Sequence, residues 1–325
     1  MAELSNQLMA FTVLAYLAAM VCYAAEYAFG KRSHIGRAAA RPARQLVGAG
    51  GPPPAVVEDV APSATAERPE RDRSAMIGAI AIGLNVLALL LHLGALGTRA
   101  VAAGRMPWGN MYEFILSVSV VGSIAWLAVL SRKPGIRHLG LFVTLTMVVL
   151  LGANGLIAYT PVGPLVPALN SYWYLIHVST IILSSGILLF GAVPAAAFLI
   201  RTRYDEGKRR FPYTLGKRSP AAETLERLTF RLHAFAFPLF TFGALIAGPL
   251  WAEASWGRYW GWDPKEVWAF ISWIVYACYL HARATPSVKR TTATWLALLG
   301  FATMLMNLFG VNLFFEGLHS YANAG

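Results

Sequence analysis

Five indoles and two imidazoles are the residues with the most chemical character in this chain. Residues 251–268 read WAEASWGRYWGWDPKEVW and hold Trp251, Trp256, Trp260, Trp262 and Trp268, half of the chain's ten tryptophans. Flat rings with Gly257 and Gly261 between them, where the backbone can fold tightly, suit a ligand that is itself flat and apolar. An aromatic belt at a membrane surface accounts for one or two tryptophans, but not for five in so short a run. Within it, Asp263-Pro264-Lys265-Glu266 has the form of a helix start. Asp263 is placed to cap, Pro264 suits the first helical position, and Glu266 completes a capping-box-like pair. Arg258 and Lys265 are placed to meet carboxylates on a ligand.

His177 and His319 fall at the ends of predicted spans, on the same side as the aromatic run, so each can approach it from one direction. Neutral imidazole is a common axial ligand of haem iron. A planar macrocycle on the aromatic run, with His177 and His319 above and below it, is a reasonable geometry. His281 lies deeper, roughly 26 Å into its span at 1.5 Å per residue, and an ionisable residue there is a functional candidate. His92 sits in another span, nearer the aromatic side, so His92 and His281 are not expected to share one iron. A metal at His281 therefore needs a second ligand from elsewhere, such as another chain, and His92 serves equally well as a structural residue. His34, His138 and His233 read as solvated or structural.

The elements that carry these residues are membrane helices. The chain has 325 residues, 57% hydrophobic and 13% charged, against about 25% charged in a soluble domain. Apolar runs of about 20 residues recur, the length that crosses ~30 Å of hydrocarbon as helix, and no alternating pattern suggests a barrel. The predicted fold is all-α, a polytopic membrane bundle of about eight spans. It divides into an N-terminal span (1–29), a Pro/Ala/Arg-rich cytoplasmic loop without regular structure (30–75) and a membrane domain (76–325). The formal net charge of +11 comes from Lys and Arg clustered in loops, the pattern of the positive-inside rule and not of a nucleic-acid site. That rule places both termini and the aromatic run outside. Residues 220–232, with Leu225, Leu228 and Leu232 on one side, predict a short helix along the inner surface. Cys22 and Cys278 fall inside spans and form no disulfide framework or CxxC pair.

The segment WGRYWGWDPKEVW, with histidines before and after it, resembles the tryptophan-rich WWD signature of haem-handling proteins that serve cytochrome c biogenesis. Chain length, span number and the closing segment most resemble the CcsA/ResC-type subunit of the system II cytochrome c haem lyase. Residues 92–113, with Gly104, Pro107, Trp108, Asn110, Tyr112 and Glu113, also look like that subunit, and the likeness covers about 76–322. The resemblance implies that haem b is the cargo and that it enters from the cytoplasmic side at a site involving His281. The partner histidine there would come from a ResB/Ccs1-like membrane subunit. Haem would then reach the outer platform, where His177 and His319 ligate iron and the tryptophans, with Asp263 and Arg258, hold the ring. An apocytochrome c presents its CxxCH segment, whose thiols add to the vinyl groups, so His177, His319 and Asp263 are the implied catalytic residues. A thioredoxin-like thiol reductant and membrane lipid are further implied partners, with no nucleic acid. The implied location is a bacterial plasma membrane with the active face outside, ahead of a plastid thylakoid. Two other functions fit the same residues: a CcmC-like haem exporter or chaperone loader without lyase activity, and a transporter of another amphipathic solute.

Overall fold

The structure, a computed structural model, describes residues 1–29 and 73–319. The predicted loop 30–75, His34 included, lies outside the described residues except for its last three positions, which already belong to a helix. The described chain is helical throughout: α1 (Ala2–Phe29), α2 (Arg73–Ala103), α3 (Met111–Arg132), α4 (Gly140–Ile157), α5 (Tyr172–Asp205) and α6 (Ala222–Phe242). A π-helical turn, Gly243–Ala247, joins α6 to α7 (Gly248–Trp256), and α8 (Pro264–Ala284) follows. A second π turn, Met306–Gly310, joins α9 (Arg290–Leu305) to α10 (Val311–Phe314).

Seven of the described helical stretches are long and apolar enough to cross a membrane: Ala2–Phe29, Ser74–Ala103, Met111–Arg132, Pro134–Ile157, Tyr172–Asp205, Ala222–Trp256 and Arg290–Phe314. The eighth expected span, α8, is not among them, because Lys265, Glu266, His281 and Arg283 dilute its apolar residues. It nevertheless runs the length of the bundle. Lys265 at its start donates to the carbonyl of Asn307 in the π turn after α9, and Arg283 at its finish pairs with Glu226 at the start of α6. The protein is a polytopic helical membrane protein.

Polar contacts sort the two ends of the bundle. At one end Glu26 pairs with Arg137, Arg218 donates to the carbonyl of Tyr27, and Glu226 meets Arg283. The other end gathers the start of α1, through Ser5 to the carbonyl of Ala95, with Arg99 on the carbonyl of Thr160 and Trp251 on that of Ala168. The first of these ends carries the Lys/Arg-rich connections, and the second carries the aromatic run. The helix predicted along the inner surface is not a separate element. Ala222–Phe242 is continuous, and Leu225 and Leu228 are buried in the bundle. Their stripe faces α5 instead of lipid headgroups, since nothing between residues 222 and 234 interrupts the helix.

Small residues set the spacing of the helices, as they do where lipid offers no hydrophobic drive for association. Ala81, Ala88 and Ala95 recur on one face of α2 with no exposed area. One close backbone approach is at Gly186 of α5, where an added Cβ would lie 2.7 Å from the carbonyl oxygen of Val118 and 2.6 Å from the Cβ of Val121. These are backbone and branched atoms that cannot swing aside. Gly186→Ala is therefore expected to destabilise the bundle by about 1–3 kcal/mol, read as an earlier thermal unfolding midpoint in detergent. An unchanged midpoint would show that α3 and α5 can part without cost.

Candidate functional site

The starts of α3, α5 and α8, the π turn before α7, the end of α9 and the segment after α10 enclose a cavity. Its empty space, counted out into the open solvent at its mouth, is about 1350 Å³. Its lining is mainly apolar and includes the aromatic side chains Trp108, Phe114, Tyr174, Trp251, Trp256 and Trp260. His177 and His319 also line it.

Each imidazole is held through Nδ1. His177 Nδ1 lies 2.8 Å from the carbonyl oxygen of Gly243. A carbonyl only accepts, so Nδ1 carries the proton and Nε2 the lone pair. Gly243 opens the first π turn, where the regular helical ladder is interrupted, a device common at functional sites. The ring is also seated against Gly248, where an added Cβ would come within 3.2 Å of it.

His319 Nδ1 lies 2.7 Å from Asp263 Oδ1. The same carboxylate accepts from the backbone N–H of Lys265 at 3.1 Å and of Leu318 at 2.6 Å. Burial alone pushes the Asp263 carboxyl up, but the His319 hydrogen bond and charge, with the two N–H groups, hold it below the usual carboxylate range. The stability it contributes is present above about pH 4 and is lost as pH falls through its lowered folded value. At neutral pH it is an ionised acceptor, and His319 Nδ1–H donates to it. Both histidines thus show the arrangement of metal-ligating imidazoles, Nδ1–H on an oxygen and the lone pair on Nε2.

Trp251 joins the two. The His177 ring lies parallel to its indole at 5.5 Å and 11°, and the His319 ring meets it at 5.5 Å and 63°. Trp256 touches His319 edge-on at 5.1 Å. Trp251 is itself buried and pinned by its Nε1–H to the carbonyl of Ala168 at 3.0 Å.

The other predicted residues divide. Trp260 lines the cavity, whereas Trp262 is 67% exposed with φ 57° and Trp268 lies half-buried on α8 away from the lining. Arg258 does not line the cavity either, because its guanidinium lies over Gly261. Asp263 caps α8 with the predicted capping box, Glu266 included, and turns its remaining acceptor capacity to His319 and Leu318. It is a positioning residue. His281 is exposed on the last turn of α8, beyond Ser272, the last residue of that helix to line the cavity, by about 14 Å at 1.5 Å per residue. His92 is fully buried against Tyr16 (rings 6.2 Å apart), outside the cavity, with neither ring nitrogen hydrogen-bonded to a described residue. His233 is buried with Nδ1 on the carbonyl of Thr229, which is structural and not solvated.

Sequence reasoning passed over the ion cluster at the cavity mouth. Glu113, with no exposed area, accepts from Arg99 Nε (2.9 Å), Arg105 Nη1 (2.8 Å) and the N–H of Gly109 (2.7 Å). Asn110 caps α3, and Trp108 beside it reaches the cavity. The available signal was charge pairing: Arg99 at the end of one apolar run and Glu113 at the start of the next.

A protein-family model described as cytochrome c assembly protein matches residues 108–319. The cytochrome c biogenesis protein CcsA of Guillardia theta is 35% identical over 258 residues, covering 74% of this chain and 85% of its own. That of Gloeobacter violaceus is 34% identical over 298 residues, covering 77% and 88%. Among solved structures, the cytochrome c haem lyase CcmF matches the whole of this chain and 49% of its own, with a TM-score of 0.56 and 19% identity. That likeness concerns the fold, over about half of the longer protein. With the family model spanning residues 108–319 and CcsA proteins 34–35% identical over about three quarters of this chain, this chain belongs to the cytochrome c assembly protein family.

Proposed function

We propose that this chain handles haem at the aromatic end of its bundle and takes part in its covalent attachment to apocytochrome c. The observation that carries this is the pair His177 and His319, converging on one indole in a cavity with aromatic walls. The names of the CcsA relatives support it. Haem is the substrate here. The two Nε2 atoms supply axial ligands, the indoles cover the ring faces, and the apolar walls exclude water. Attachment adds each cysteine S–H of a CxxCH segment across a vinyl C=C. A carbon–sulfur bond forms, the proton goes to the other vinyl carbon, and no electrons are gained or lost.

The finer parts of the proposal follow from charge and depth. The Lys/Arg-rich end faces the cytoplasm by the positive-inside rule, so the cavity faces outward across a bacterial plasma membrane. The exposed His281 at the cytoplasmic end meets incoming haem b together with a histidine of a ResB/Ccs1-like subunit. The test is reconstitution of the full chain with that subunit, haem and an apocytochrome carrying CxxCH. The expected product is a cytochrome that keeps its haem through denaturing electrophoresis. Haem that is bound and released but never thioether-linked would replace attachment with export.

A further inference from the structure

Lys265 is the second residue of α8, and its side chain lines the cavity. Its ammonium lies 3.1 Å from the carbonyl oxygen of Asn307, in the second π turn, and 3.8 Å from the sulfur of Met111, a weak acceptor. An ammonium has three protons to place, and a desolvated cation without an anionic partner is costly. Among the described residues no carboxylate forms an ion pair with it. The two nearest in sequence are engaged. Asp263 holds His319 and the N–H of Leu318, and Glu266 Oε2 accepts from the N–H groups of Gly261 and Asp263. Arg258, the other cation of the aromatic run, covers Gly261 and stays out of the cavity. Arg99 and Arg105 share the one carboxylate of Glu113, and neither lines the cavity.

We propose that Lys265 binds a free carboxylate on the rim of the macrocycle, which makes the cavity selective for porphyrins with ionised propionates. This rests on the haem reading of the same cavity. The carboxylate takes the place of the Met111 contact and completes the charge that the protein leaves open, while Asn307 goes on holding the ammonium in position. Iron ligation and carboxylate recognition then come from different walls, so the propionate edge of the ring is turned toward the start of α8.

The test titrates purified full-length protein with haemin and with haemin dimethyl ester, whose propionates carry no charge. Wild type is expected to bind the free acid roughly tenfold to a hundredfold more tightly than the ester, the range for a hydrogen bond between charged partners. Lys265→Met should bring the free acid down to the ester's affinity and leave the ester unchanged, while Lys265→Arg keeps most of the preference. Equal affinities in wild type would overturn the assignment, as would a Lys265→Met protein that loses both ligands alike. A wild-type protein with no Soret band for either porphyrin would sink the haem reading itself, and this inference with it.

Discussion

Protein carrying both His177→Ala and His319→Ala is expected to show no axially ligated haem and to support no detectable cytochrome c maturation, while remaining folded. The described hydrogen bonds of the two side chains run through Nδ1, to Gly243 and to Asp263, and each such bond is worth about 1 kcal/mol to folding. A bundle whose core lies largely elsewhere tolerates that. The functional cost is far larger, because among the described residues His177 and His319 are the only imidazoles that line the cavity. No group of three or more His, Cys, Asp or Glu suited to a metal ion occurs among the described residues. The singly substituted proteins separate ligation from packing. Each should keep one imidazole, shift its Soret maximum and lose at least tenfold in haem retention. Cytochrome c accumulation and Soret spectra of membranes check this, with size-exclusion profiles as the folding control. Normal cytochrome c levels in the doubly substituted strain would remove the two histidines from the mechanism.

Much of the architecture was legible because the bilayer enforces it. Apolar length, basic loops and the Asp263-Pro264-Lys265-Glu266 helix start are local signals, and the helices and capping box follow them. That His177 and His319 share one end of the bundle was legible for the same reason. The π turns were not. Gly243, Gly248 and Pro249 surround the first, and Pro249, which cannot donate to the helical ladder, is a weak sign of the break. The second, at Met306–Gly310, has only its closing glycine and no proline. Yet one π turn presents a carbonyl to His177 and the other presents one to Lys265. Composition also overstated the shelf. Five tryptophans in one run read as five faces for a ligand, but the turn at Gly257 and the left-handed Trp262 send that indole outward. Alternation of side-chain direction in an irregular loop has no period to read. Asp263 shows the same limit from the other side: its capping role is local, while its contact with His319 spans 56 residues.

That long-range contact makes Asp263→Asn the most discriminating single substitution. Asparagine caps a helix as well as aspartate does, and its volume is the same, so α8 should start where it does now. What changes is the donor count. The carboxylate accepts three hydrogen bonds, from Lys265, Leu318 and His319, whereas the amide has one accepting oxygen and an NH2 that must face somewhere. If the NH2 faces the Leu318 N–H, two donors oppose each other and the segment carrying His319 is pushed off. If it faces His319, it also opposes the Lys265 N–H that shares that oxygen, so the cap weakens, and the imidazole accepts at Nδ1 while its proton moves to Nε2, which then has no lone pair for iron. Either outcome weakens ligation at His319, by roughly 10–100-fold in haem affinity on the pattern of lost ligand supports. The spectrum should approach that of His319→Ala, with His177 still bound. Asp263→Ser, which keeps a capping oxygen but does not reach His319, should behave likewise. A protein with Asp263→Asn that binds haem like its parent would mean that the His319 tautomer is set by something other than this carboxylate.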